Sequence, residues 1–222
     1  MPSFDDVAAG LCMPLAEAME TQRAIRRLRT DPVDDETVLR CIELALRAPT
    51  AGNHQDWEWV VVRDPDVKHQ LARLNRQAWS ISKRLGRRRP HPFSADKIME
   101  AVQWQADHFE ETPVVVVACL RGARPLLSPA STARFYASIY PSVQNLLLAA
   151  RALGLGANLT TLPLWSTVLV RRTLGLPRWV TPCAVIPLGW PRGRYGPTTR
   201  RPVGEVVHVD RYGTRPFVGA HR

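Results

Sequence analysis

The amino-acid sequence predicts an α+β or α/β sandwich, a sheet covered by helices, and three observations carry that expectation. Val114-Val-Val-Val-Ala-Cys-Leu120 is an unbroken apolar run of the kind shown by a central strand covered on both faces. Longer segments on either side of it repeat their apolar residues at helical spacing. Helical and strand-like segments then alternate irregularly, with helices dominant and no internal repeat.

Taken in order, Leu15 to about Ile25 reads as a helix, followed by the basic segment Arg26-Arg27-Leu28-Arg29 and the turn Thr30-Asp31-Pro32. Asp34 and Asp35 are both suited to cap the next helix, and Glu36 puts negative charge in its first turn, where the helix dipole favours it. Val38, Cys41, Ile42, Ala45 and Leu46 form one apolar stripe. Ala48 precedes Pro49, which disfavours further α conformation and ends the helix. Trp59-Val-Val-Val62 is β-prone and is closed by the turn-like Arg63-Asp64-Pro65. Asp66 to Trp79 and about Ser94 to Phe109 are helical. Ser128 to Leu153 is the longest helical pattern, with Ile139, Val143, Leu146, Leu147 and Ala150 facing a core; Pro141 should kink it or open its second half. Gly154 and Gly156 suit its stop. An extended piece (Ala157 to Leu162), a helix (about Ser166 to Leu174) and the strand Pro182 to Gly189 complete the pattern. From Arg200 to Tyr212 the chain alternates (Val203, Val206, Val207, Val209) with little to pack on locally, as expected of an arm that finds its partner on another subunit.

The 222 residues suffice for one substantial core, and no linker-like stretch divides them. A single domain over 1–222 is expected, with a core of about 15–212 and a C-terminal arm of about 200–222. No apolar run approaches the ~20 residues that span a bilayer, and Met1 to Pro14 lacks the pattern of a signal peptide, so a cytoplasmic location is expected. Cys12, Cys41, Cys119 and Cys183 lie far apart, with no C-x-x-C pair and no histidine at ligand spacing, which argues against a disulfide framework or a zinc site; Cys41 on a helix stripe and Cys119 and Cys183 in strand-like runs read as buried thiols. The net charge of +10 could signal nucleic acid. Much of it sits in Arg23 to Arg29 and in Lys83 to Arg89. Aromatic interleaving around the second run is sparse, which favours a solvated loop over a nucleic-acid patch. A lid that draws an anionic ligand toward a site is the third reading. Neither a nucleic-acid nor a membrane partner is expected.

Arg47-Ala-Pro-Thr-Ala-Gly-Asn-His-Gln-Asp-Trp57 combines a helix stop, small residues that let backbone approach a ligand, and amides beside an aromatic ring. Such a mixture serves a flat, polar-edged ligand better than it serves a core. Its plainer reading has Asn53 and Gln55 capping the preceding helix. Trp57 and Trp59 read as core and interface packing, Tyr136 and Tyr140 as packing, and His54 as incidental.

Together with Arg23-Ala-Ile-Arg26-Arg27-Leu28, the segment Ala48 to Trp57 resembles the nitroreductase family of FMN-dependent oxidoreductases. The stretch from Ser138 to Gly156, with Gln144-Asn-Leu-Leu-Leu148 at its centre, strengthens the resemblance, as do Pro187-Leu-Gly-Trp-Pro191 and Arg200-Arg-Pro202. It covers the chain from about Leu15 to Tyr212 in the family's order. The resemblance implies an α+β fold with a central, mostly antiparallel sheet flanked by helices, an intertwined homodimer, and FMN bound at the subunit interface. Arg23 and Arg26, with Arg27 beside them and Arg200 arriving from the C-terminal segment, match the phosphate contacts, where guanidinium can grip bidentately. Pro49, Thr50, Ala51 and Asn53 match the loop that touches the flavin from the partner subunit, and Leu159, Thr160 and Thr161 match the loop near the isoalloxazine edge.

By the same resemblance NAD(P)H reduces the flavin and a nitroaromatic, quinone or similar acceptor then takes the electrons, in ping-pong fashion, with the chemistry carried by the flavin and no proton-transferring side chain nominated. Flavin sequestration without turnover, cleavage of reduced flavin and dehalogenation are the alternative activities. The chain departs from the family's pattern at Gln22 (Arg in many relatives), Ala24 (Ser), Asp56 (Pro) and Thr161 (acidic in some members). Those departures bear on phosphate and ribityl contacts and on access to the site.

Overall fold

The computed structural model describes residues 3–85, 95–122 and 128–219. Eight helices appear among them: α1 (Phe4–Ala9), α2 (Leu15–Thr21), α3 (Asp35–Ala45), α4 (Pro65–Arg84), α5 (Ala95–Asp107), α6 (Pro129–Ala137), α7 (Tyr140–Ala152) and α8 (Thr167–Leu174). Four strands, β1 (Trp57–Val62), β2 (Val114–Arg121), β3 (Gly156–Ala157) and β4 (Val180–Gly189), form one sheet in the order β1-β2-β4-β3 with every pairing antiparallel. This is the α+β sandwich with an antiparallel sheet that the sequence predicts.

β2 is central, and its alternation sorts the core. Val114, Val116, Ala118 and Leu120 pack with α3 and α7 residues such as Val38, Ile42, Val143 and Leu146 on one face. Val115, Val117 and Cys119 pack with Leu71, Leu74, Phe109 and Val170 on the other. A strand buried on both faces needs apolar residues at every position, which is what the Val114–Leu120 run supplies. Each buried valine and leucine of the run stabilises the fold by about 1.5–3 kcal/mol relative to exposure. A bulge between Ala118 and Cys119 sets Cys119 opposite Pro182 and leaves Cys183 on the α3/α7 side. Cys41, Cys119 and Cys183 are buried thiols, as expected, and burial pushes each up to about 12.

Several boundaries differ from expectation for identifiable reasons. α2 stops at Thr21, because Gln22 turns extended and Ile25 donates its amide to Ala157 across the sheet edge. The basic segment is therefore extended and separate from the helix. The long pattern from Ser128 to Leu153 breaks at Ser138–Ile139, with Pro141 in the first turn of α7, leaving α4 as the longest helix described. α4 runs five residues past Trp79, and the extended piece after Gly156 is a two-residue strand followed by a single bridge from Thr160 to Val185. Asp34 alone caps α3, its carboxylate accepting from Thr37 N at 2.7 Å. Of the basic run Lys83 to Arg89, Lys83 and Arg84 end α4, and the rest lies outside the described residues. Among the described residues no helix is long and apolar enough to cross a membrane.

Candidate functional site

The expected cofactor contacts fall into two groups at opposite corners of the sheet. At the first corner, Pro49, Thr50, Ala51 and Asn53 lie in the loop that enters β1. α3 ends at Ala45, whose carbonyl accepts from the fully buried Ser142 hydroxyl at 2.8 Å, fixing the loop's departure point on α7. Ser138, at the α6–α7 break, clasps the other end. Its carbonyl accepts from Trp57 Nε1 at 2.6 Å and its hydroxyl from Ala51 N at 3.3 Å. Trp57 is buried against the core, while Pro49, Ala51, Gly52, Asn53, His54 and Gln55 are exposed.

Between these anchors the backbone is left-handed at Gly52 (φ 59°), Asn53 (φ 54°) and Gln55 (φ 54°). Only Gly52 adopts this region freely, so Asn53 and Gln55 store strain of about 1–3 kcal/mol each. Gln55 Nε2 donates to Asn53 Oδ1 at 3.1 Å, and Gln55 N donates to the Thr50 hydroxyl at 3.2 Å. Neither side chain caps α3, so the plainer reading of the two amides does not hold. Strain kept in an exposed loop by outside clasps makes the segment a candidate functional one.

At the second corner, residues 25–29 run as an extended edge beside β3 and the end of β4. Ile25 N donates to Ala157 O at 3.0 Å, Arg29 N to Trp190 O at 2.8 Å and Arg192 N to Arg27 O at 3.0 Å. Gly156 allows this approach: a Cβ there would meet Ile25 Cγ2 at 2.7 Å and Leu28 Cδ2 at 2.8 Å. Arg26 is half-buried and has no hydrogen bond or ion pair among the described residues, and burial lowers its guanidinium from its ordinary value. Arg23 and Arg27 are exposed.

Leu159, Thr160 and Thr161 follow β3 directly. Thr160 is tied to Val185 in both directions at 2.9 Å, and a buried pair of amides holds the loop from behind. Gln105 Nε2 donates to Asn158 Oδ1 at 2.7 Å and Asn158 Nδ2 returns to Gln105 Oε1 at 3.3 Å. The C-terminal segment joins the same corner: Thr198 bonds Glu20 O through both its amide and its hydroxyl at 3.0 Å, two residues before the exposed Arg200. The structure thus brings Arg23, Arg26, Leu159, Thr160, Thr161 and Arg200 into one region. Arg27 diverges from it. Its side chain lines a separate groove with Trp79, Lys83 and Trp104, between α4 and α5.

The two corners do not meet within one chain. β1 and β3 are opposite edges, three strand spacings apart, and Trp57 lies level with Thr181 whereas Ala157 lies level with Leu188. Strand geometry puts the groups about 20–25 Å apart.

Sequence reasoning missed a cavity of about 430 Å³ beside the first corner. Thr50, Ala51, Gly52, His54 and Asp56 line one side, Leu120 and Arg121 the floor, and Ser131, Arg134, Phe135 and Ser138 of the α6 region the other. His54 and Asp56 sit in the motif, but the opposite wall comes from residues some 75 to 88 positions away, which no local pattern reveals. Asn158, Gln105 and Ser138 were missed for the same reason: their roles are contacts across the fold.

A family model described as Nitroreductase family matches residues 19–190. Iodotyrosine deiodinase 1 of Rattus norvegicus is 27% identical over 197 residues, covering 87% of this chain and 68% of that protein. An NADH dehydrogenase of Thermus thermophilus is 30% identical over 218 residues, covering 84% of this chain and 91% of that one. A crystal structure of oxidized iodotyrosine deiodinase bound to FMN and 3-iodo-L-tyrosine matches the fold with a TM-score of 0.69 at 20% identity, over 90% of this chain and 100% of that one. Covered over most of its length by that family model and built on the same fold, the chain belongs to the nitroreductase family.

Proposed function

We propose that the protein is an FMN-dependent oxidoreductase that carries electrons from NAD(P)H to a nitroaromatic, quinone or similar organic acceptor by a ping-pong mechanism. It acts as a homodimer in which the first corner of one chain meets the second corner of its partner. The observation that carries this reading is the half-buried guanidinium of Arg26, which has no hydrogen bond or ion pair among the described residues, on the edge segment that also carries Arg23. A desolvated cation without a counter-ion is costly in the free protein and becomes favourable once an anion arrives.

The residues present fit a flavin mononucleotide. Arg23, Arg26 and Arg200 would hold its phosphate, Thr160 and Thr161 would border its ring system, and the partner's Pro49–Asn53 loop would close over the ring with backbone and small side chains. Such a flavin supplies the acceptance and release of two electrons. The protein binds and orients it, keeps positive charge near its phosphate, and limits water through the loop and Phe135. The C-terminal segment, with Val203, Val206, Tyr212, Phe217 and Val218 exposed, serves as the arm that embraces the second chain.

Purified protein is expected to be yellow with flavin absorbance that bleaches under NADH or NADPH and returns on addition of an acceptor. A colourless protein that fails to take up FMN would overturn the reading. The deiodinase relatives favour dehalogenation as a second reading; halide release from a halophenol under reducing conditions would distinguish it from nitro reduction.

A further inference from the structure

No Asp or Glu occurs between Glu111 and Glu205, while eleven arginines do. The α6 wall of the 430 Å³ cavity belongs to that acid-free stretch, and so does its floor. Their two charged groups are not equivalent. Arg121 donates from Nε to Glu58 Oε1 at 2.8 Å and is neutralised there. Arg134, in the last turn of α6, is exposed and has no ion pair or hydrogen bond among the described residues. Opposite it, across the cavity, the loop wall carries Asp56 and His54, and Phe135 and Leu120 supply apolar surface between.

We propose that this cavity receives the electron acceptor and selects aromatic acceptors carrying a carboxylate or another acidic group, with Arg134 as the anchoring cation. The inference rests on the oxidoreductase reading above and names the acceptor class of that site. The polarity of the walls sets the orientation. An anionic substituent is attracted to Arg134 and repelled by Asp56, so it turns toward α6. A flat ring is accommodated along Phe135, where stacking adds to area burial. The hydroxyls of Ser131 and Ser138 are the neutral polar groups on the same wall. A guanidinium–carboxylate contact, together with ring burial along Phe135, is expected to favour the acidic acceptor about tenfold.

The test compares 4-nitrobenzoate with its neutral counterpart 4-nitrobenzamide on the flavin-loaded protein. Expected is a kcat/KM at least tenfold higher for the carboxylate, carried by KM. Arg134→Gln should collapse that ratio toward one, and Arg134→Lys should retain most of it. Binding of 4-nitrobenzoate by calorimetry gives a second readout that needs no turnover, and Arg134→Gln should weaken it about tenfold. Equal use of the two acceptors by the unaltered protein, or a ratio or affinity that Arg134→Gln leaves alone, would overturn the proposal while leaving the oxidoreductase reading intact. Absence of flavin uptake with 4-nitrobenzoate still bound through Arg134 would do the reverse.

Discussion

At the β1 corner the segment from Pro49 to Gln55 makes no strand and only a single 3-10 turn, Ala51–Asn53. It holds three left-handed residues in place through clasps from Ser138 and the buried Trp57. At the β3 corner residues 25–29 lie extended, held by sheet-edge hydrogen bonds at Ile25, Arg27 and Arg29, and it is the Arg26 guanidinium rather than the backbone that has no partner among the described residues. One corner stores its readiness as backbone strain, the other as an unpaired charge. The difference teaches what each is suited to meet. A strained loop of small residues brings backbone close to a flat ring, and a desolvated guanidinium brings charge close to a phosphate.

Substitutions at the supports should break the corners separately. Trp57→Ala removes a buried indole together with its bond to Ser138, and an unfolding midpoint by chemical denaturation is expected to show a loss of about 3–5 kcal/mol. Gly156→Ala forces Ile25 and Leu28 aside and should cost about 1–3 kcal/mol, with FMN uptake reduced because the Arg23–Arg26 edge is displaced. Loop geometry at the β1 corner should survive it, as judged by unchanged near-ultraviolet signal from Trp57.

Arg26→Met sharpens the contrast between strain and charge. Burial lowers the folded-state pKa of Arg26, so folding disfavours its charged form at every pH below that value. Removing the charge should therefore leave the stability of the flavin-free protein unchanged or raised across the neutral range. FMN affinity is expected to fall about 10- to 100-fold, measured by flavin fluorescence titration. Smallest is Ser138→Ala, which deletes one hydroxyl acceptor for Ala51 N and should cost about 0.5–1.5 kcal/mol.

The sheet and its main helices were legible because their signals are local: the valine run of β2, the stripe and Asp34 cap of α3, the prolines and glycines that bound α7. Both corners were legible as motifs, since Pro49 to Asn53 and Arg23 to Arg26 carry unusual residue mixtures. What sequence could not show is set by contacts between distant positions. The early end of α2 depends on a bond from Ile25 to a carbonyl 132 residues later, and the loop's shape depends on Ser138, some 85 residues beyond it. Asp56, unexplained as a departure from pattern, became a cavity wall only when α6 was placed opposite.

The central claim is that one flavin site draws its loop from one chain and its arginines from the other. Co-expressing an Arg26→Ala chain with an Ala51→Trp chain tests it most directly, because each variant alone should bind little FMN. In a shared site, a mixed dimer regains one intact site out of two, so the mixture should bind about a quarter of the flavin bound by the unaltered protein. Retention of flavin no greater than that of either variant alone would place both groups in the same chain and contradict the account.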